Sequence, residues 1–224
     1  MAFVVSALIF CTALWYHFRM KRPISNSRSR TTIVFLVVLG LVWAVSLFVH
    51  ELGHGLTAQI LGGRVTRLNV WPGIQVWPHP GQRCEGEWGT AIASLAYTYG
   101  QSWGEDGGWQ DPLVGVMGSG INLLLAALAL GSLWRFRPQG WLRRLLIAES
   151  LMFVDMLFYV LLPELFGLPH YVILGGSRPE PIDNAERLGC PRWGFILLTV
   201  LVSALMGWGL VAYVRRHRAH SDLE

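Results

Sequence analysis

The apolar positions of this chain fall into long unbroken runs, not into the spacing of a half-exposed helix or strand. Five runs stand out, at residues 2–18, 32–61, 112–134, 145–162 and 193–214. Each is long enough, at about 17–25 residues, to cross the hydrocarbon core of a bilayer as a helix. The second run stops at Gly62-Gly63, and residues 64–71 then alternate as a strand does, ended by Pro72-Gly73. Residues 74–77 are the expected hairpin partner, and the rest of the loop to Asp111, rich in Gly, Trp and Tyr, reads as irregular structure at the membrane interface. Pro163 is expected to end the fourth run, and 164–192 to be a Pro-rich loop. The pattern predicts an all-α integral membrane protein. It is a single domain over 1–224, a bundle of about five transmembrane helices with a small β-hairpin-like element after the second.

Composition agrees with this class. The chain is 53% hydrophobic and 14% charged, whereas soluble domains carry about a quarter charged residues. The formal charge of +4 invites a nucleic-acid reading until the basic residues are located. Arg19, Lys21, Arg22, Arg28 and Arg30 form one acid-free cluster, Arg135, Arg137, Arg143 and Arg144 a second, and Arg215, Arg216 and Arg218 a third. With five spans all three fall on one side. The opposite loops carry three basic against five acidic residues (62–111) and three against four (163–192). Charge of this kind encodes membrane topology. It predicts the N-terminus outside, the C-terminus cytoplasmic, the lipid bilayer as a partner and no nucleic acid. The charge at 19–30 follows the first apolar run instead of preceding it, so that run is expected to be a retained anchor. Cys11, Cys84 and Cys190 are too few for a disulfide framework. Cys84 and Cys190 fall on the same side, where a pair and two free thiols are both open.

Candidate chemistry is concentrated at His50-Glu51-Leu52-Gly53-His54. Residues four apart share a helix face, so His50 and His54 can present two imidazoles to one ion, with the Glu51 carboxylate beside them. This is the HExxH arrangement of zinc peptidases. A catalytic zinc takes three protein ligands, so a third is required. Asp155 is the first candidate, because an ionisable group inside an apolar run is costly and functional by default. Asp155 precedes Pro163 by eight residues, as His54 precedes Gly62. An Asp that pins the bundle by hydrogen bonds is the plainer reading of the same residue. Asp183 and Glu180, in the 164–192 loop, are the rivals. Asn122 reads as an interhelical hydrogen-bonding group, and Glu149 as a partner of the nearby arginines.

The stretch His50-Glu-Leu-Gly-His-Gly-Leu-Thr-Ala-Gln-Ile-Leu-Gly-Gly-Arg64, followed by a strand-like segment, resembles the site-2-protease family of intramembrane zinc metalloproteases. Gly118-Ser-Gly-Ile-Asn122 is similar to that family's glycine-and-asparagine motif in the next span. Together these cover roughly 32–134. Leu161-Leu162-Pro163 resembles part of the turn after which the family supplies its third ligand as Asp-Gly, but Val160 stands where Asn is expected and no Asp-Gly follows. The resemblance implies a zinc endopeptidase cutting membrane-anchored protein substrates, with Zn2+ on His50, His54 and a third ligand. Glu51 would then activate a zinc-bound water. It also suggests that the strand at 64–71 holds an unwound substrate at an exposed edge. The alternative is a catalytically inactive relative acting as a membrane binding or scaffold protein. A metal transporter would need more ionisable groups across the membrane than the chain supplies.

Overall fold

The structure, a computed structural model, describes residues 26–70, 74–82, 93–104, 106–169 and 179–221. The apolar run at 2–18 and Cys84 lie outside them, and so therefore do the fifth expected span and the Cys84–Cys190 pairing. Within the described residues the order is α1 (Asn26–Ile60), β1 (Arg64–Val70), β2 (Ile74–Trp77), β3 (Ala93–Thr98), α2 (Gln110–Phe136), α3 (Gly140–Ser150), a 3₁₀ turn (Leu151–Phe153), α4 (Val154–Phe166), α5 (Glu180–Arg187) and α6 (Arg192–Ser221). Four helical segments are long and apolar enough to cross a membrane: Thr32–Ile60, Gln110–Phe136, Gly140–Phe166 and Arg192–His217. The shortest, of 26 residues, is about 39 Å long at 1.5 Å per residue, against a hydrocarbon core of about 30 Å.

α1 ends where the double glycine says it should. Gly62 takes φ +89°, its N–H bonds the Gln59 carbonyl at 3.1 Å, and the Gly63 N–H reaches back to Ala58 at 2.8 Å. This pair of bonds caps the last carbonyls of the helix and turns the chain into β1. The Trp103 indole N–H donates to the Leu61 carbonyl at 2.7 Å. Its ring is buried against Ala58 and Val114, so the loop before α2 is stapled to the end of α1.

The β element is larger than a hairpin. It is a three-stranded antiparallel sheet in the order β2-β1-β3, with Leu68 opposite both Trp77 and Leu95. β3 lies in the stretch expected to be irregular, and its partner is about 30 residues away, beyond the reach of local turn signals. The third strand also corrects the expectation for β1. Both edges of β1 are taken, and among the described residues β2 and β3 are the outer strands of the sheet.

Two further expectations change. The helix does not stop at Pro163 but runs to Phe166, with Pro163 inside it. Proline removes one ladder bond. The carbonyls that follow are still met, because the Gly167 N–H bonds Pro163 at 3.0 Å and the Leu168 N–H bonds Leu162 at 3.1 Å. The loop after it contains α5, whose first turn holds Glu180, Pro181 and Asp183. Proline and acids at the start of a helix are favourable for its geometry and its dipole. α5 buries Pro181, Ile182 and Ala185; Ile182 packs with Met156 and Val160 of α4 and Ile196 of α6.

Small residues govern how closely the helices approach α2. A Cβ at Gly53 of α1 would run into the Met117 carbonyl and stand 2.6 Å from Ile121 Cγ2. A Cβ at Gly115 would overlap the side-chain amide of Asn184 on α5. Gly120, by contrast, meets only Met117 of its own helix.

Candidate metal centre

His50 and His54 lie on the buried face of α1, 4% and 8% exposed. Their Nε2 atoms are 3.2 Å apart. Each ring has its other nitrogen committed. His54 Nδ1 donates to the Val114 carbonyl of α2 at 2.7 Å, and a carbonyl can only accept. His50 Nδ1 faces Asp155 Oδ2 of α4 at 3.2 Å, with Ser119 Oγ at 3.4 Å. With a proton held at each Nδ1, both rings turn Nε2 to the same point. At that distance the two nitrogens share either a proton, as an N–H···N hydrogen bond, or a cation placed between them. Two zinc–nitrogen bonds of about 2.0–2.1 Å at a tetrahedral angle separate their nitrogens by about 3.3–3.4 Å, so the donor pair fits the ion.

The space opposite these nitrogens is kept by Gly118 of α2. A Cβ there would collide with His54 Nε2 and lie 2.6 Å from His50 Nε2. The glycine of the Gly118-Ser-Gly-Ile-Asn122 motif therefore gives room where the two Nε2 atoms converge, and Ser119 and Asn122 of the same motif line the site. Asn122, fully buried, donates through Nδ2 to the Ser46 carbonyl of α1 at 3.1 Å and to Asp155 Oδ2 at 3.0 Å. It is the interhelical residue that its position suggested.

Glu51 is half-buried on the side of α1 that faces the sheet. The backbone N–H of Leu95 in β3 bonds its carboxylate, and the Leu95 side chain fills the notch at Gly55. β3, missed from the sequence, is thus the strand beside the candidate base.

The three acids expected as third ligand are separated by the fold. Asp155 is buried in the site, but on Nδ1 of His50, the far side of the ring from Nε2. Asp183 is turned outward, 49% exposed and 3.4 Å from Arg192. Glu180 opens α5, one turn before Asn184, whose amide sits against Gly115 beside the Val114 that holds His54. Its charge acts on His50, Glu51 and His54 together. Among the described residues, no group of three His, Cys, Asp or Glu is already gathered for a metal.

Other polar residues surround the site. Tyr159, one turn beyond Asp155, stacks on the face of His50 with centroids 4.7 Å apart and planes 26° from parallel. Its spacing of four from Asp155 was the available signal. Asp111 at the start of α2 accepts from Tyr97 of β3 at 2.7 Å and from Arg187 of α5 at 2.8 Å. Burial and this carboxylate push the Tyr97 phenol up from its ordinary value. Glu149 is half-buried and, among the described residues, forms no ion pair with the arginines near it.

No curated protein and no solved structure matches the chain. A family model does, that of peptidase family M50, over residues 35–205. The match covers about three quarters of the chain, from within α1 to within α6, and takes in every residue of the site just described. The chain belongs to peptidase family M50, a family of metallopeptidases.

Proposed function

We propose that this protein is an intramembrane zinc endopeptidase that hydrolyses peptide bonds of membrane-anchored protein substrates. The observation that carries this reading is the convergence of the two Nε2 atoms, 3.2 Å apart, beneath Gly118. His50 and His54 would hold the ion, with Glu180 as the third ligand. Glu180 shares the α5 face of Asn184 over the site and is the rival acid whose charge bears on both histidines and on Glu51. Asp183 has its partner in Arg192.

Zinc bound there supplies a Lewis acid that polarises the scissile carbonyl and makes water a nucleophile near neutral pH. The chain's own residues do the rest. Glu51 accepts the proton of the attacking water and delivers it to the leaving amine. The Leu95 N–H orients the Glu51 carboxylate. A substrate helix hides its amides in its own hydrogen bonds, so it must unwind to be cut. Among the described residues β3 is an outer strand, whose edge could take the extended segment, and the Leu95 N–H points toward Glu51. Strand addition at β3 replaces the role expected of β1, whose edges are both paired. The basic clusters support an orientation with the C-terminus cytoplasmic.

The test is zinc content together with cleavage of a model membrane substrate by the purified chain. Glu51→Gln is expected to keep zinc and lose about 10²–10⁴-fold in kcat, the range of a general base. Undiminished cleavage by this variant overturns the peptidase reading built on Glu51, and absence of cleavage by the wild type leaves the inactive binding relative. Glu180→Gln is expected to lose zinc. Full retention of zinc removes Glu180 as the ligand without touching the reaction class.

A further inference from the structure

We infer that Asp155 is a positioning residue of this centre, which accepts the His50 Nδ1 proton and directs Nε2 at the metal, instead of being a metal ligand itself. The inference rests on the zinc reading above. Nδ1 and Nε2 lie on opposite sides of an imidazole ring. The Asp155 Oδ2 that meets Nδ1 at 3.2 Å therefore points its carboxylate away from the place where the two Nε2 atoms converge.

The surroundings of Asp155 hold it in that role. Oδ2 also takes the Asn122 Nδ2–H at 3.0 Å, while the same amide nitrogen donates to the Ser46 carbonyl at 3.1 Å. Both contacts are acceptors, so the amide cannot be flipped without setting oxygen against oxygen twice. The cost is visible: Asn122 Oδ1 is buried and, among the described residues, has no hydrogen-bond partner. An orphaned carbonyl oxygen is tolerated where the nitrogen beside it is needed. Asn122 thereby ties α1 to Asp155 of α4, and Asp155 ties back to His50 of α1, closing a relay through three helices.

The same turn of α4 fixes His50 from a second direction. Asp155 holds the edge of the ring and Tyr159, four residues on, lies flat against its face at 4.7 Å. The two rings differ in consequence. His54 donates to a neutral carbonyl, whereas His50 donates to a carboxylate, and a carboxylate partner makes the imidazole the more basic ligand.

The experiment uses the full chain in detergent, with Asp155→Ala, Asp155→Asn, Tyr159→Leu and Tyr159→Phe compared with wild type. Zn2+ affinity is measured by chelator competition, and the coordination of substituted Co2+ by its visible absorption. Asp155→Ala is expected to lower affinity about 10–100-fold, the usual effect of removing an outer partner of a liganding histidine. It should still bind one ion at saturation, with the intensity of the Co2+ bands unchanged. Asp155→Asn should lose less, because an amide oxygen still accepts the Nδ1 proton. Tyr159→Leu should weaken binding while Tyr159→Phe, which keeps the ring, matches wild type. A changed Co2+ band intensity in Asp155→Ala, or affinity equal to wild type, overturns the inference. Failure of the wild-type chain to bind either metal fails the peptidase reading instead, so the two failures are distinct.

Discussion

Two acidic clusters of this molecule use similar side chains under opposite conditions. On the surface, Arg192 of α6 bonds Glu164 of α4 and both Asp183 and Glu186 of α5, and Arg187 bonds Asp111. Within the bundle, Asp155 meets His50, Asn122 and, through His50, the second histidine. The surface acids are neutralised by guanidinium groups in partial contact with water. The salt bridge of Asp155 within the bundle is with a histidine, His50. A buried carboxylate is stabilised by a nearby cation, and the facing imidazoles can carry that charge as a proton or by holding an ion. On the zinc reading proposed above, the buried cluster is where an ion from outside the chain would be required.

The largest effect should come from removing that requirement. His54→Ala is expected to abolish stoichiometric zinc and reduce cleavage to background, as read by metal analysis and substrate turnover. A variant that keeps one zinc would make the buried cluster no different from the surface one. Gly118→Ala comes next. Its Cβ must displace an imidazole, and a misplacement of about 1 Å in a reacting centre costs about 10²-fold in rate. The check is kcat beside zinc affinity, both expected to fall.

The surface cluster should respond weakly. Arg192→Ala removes exposed pairs worth about 0.2–1 kcal/mol each. A drop of a few degrees in Tm is expected, with zinc content and kcat unchanged. Loss of zinc there would show that the two clusters are coupled through α5. The smallest effect concerns pH. The phenol of Tyr97 is raised in the folded state, so its contribution to stability is full below the unfolded value of about 10 and is lost as the pH climbs above it. The slope of Tm against pH between about 9 and 11 should flatten in Tyr97→Phe.

Some of this was legible without coordinates. The apolar runs named four spans that the structure describes, because a bilayer demands continuous hydrophobic length and little else. Spacing alone put His50 and His54 on one face, and Gly62-Gly63 announced the end of their helix. β3 was not legible, since six residues with a partner 30 positions away carry no local mark. α5 was missed although its Pro and acids signalled a start; they were read as a loop because the segment is short and polar on balance.

The acids show the boundary most clearly. Composition and helical period determined that this chain crosses a membrane, that two histidines and a glutamate share one turn, and that a buried Asp must have a purpose. They ranked Asp155 ahead of Asp183 and Glu180 on burial alone, whereas a ligand is chosen by direction and distance in space. Only the packing of α4 and α5 against α1 and α2 decided that Asp155 meets the far nitrogen of His50, that Asp183 faces Arg192, and that Glu180 opens the helix lying over the site. Side-chain period fixes what one helix can offer to its neighbours. Which neighbour takes the offer depends on close approach at Gly53, Gly115 and Gly118, a property of the assembled bundle.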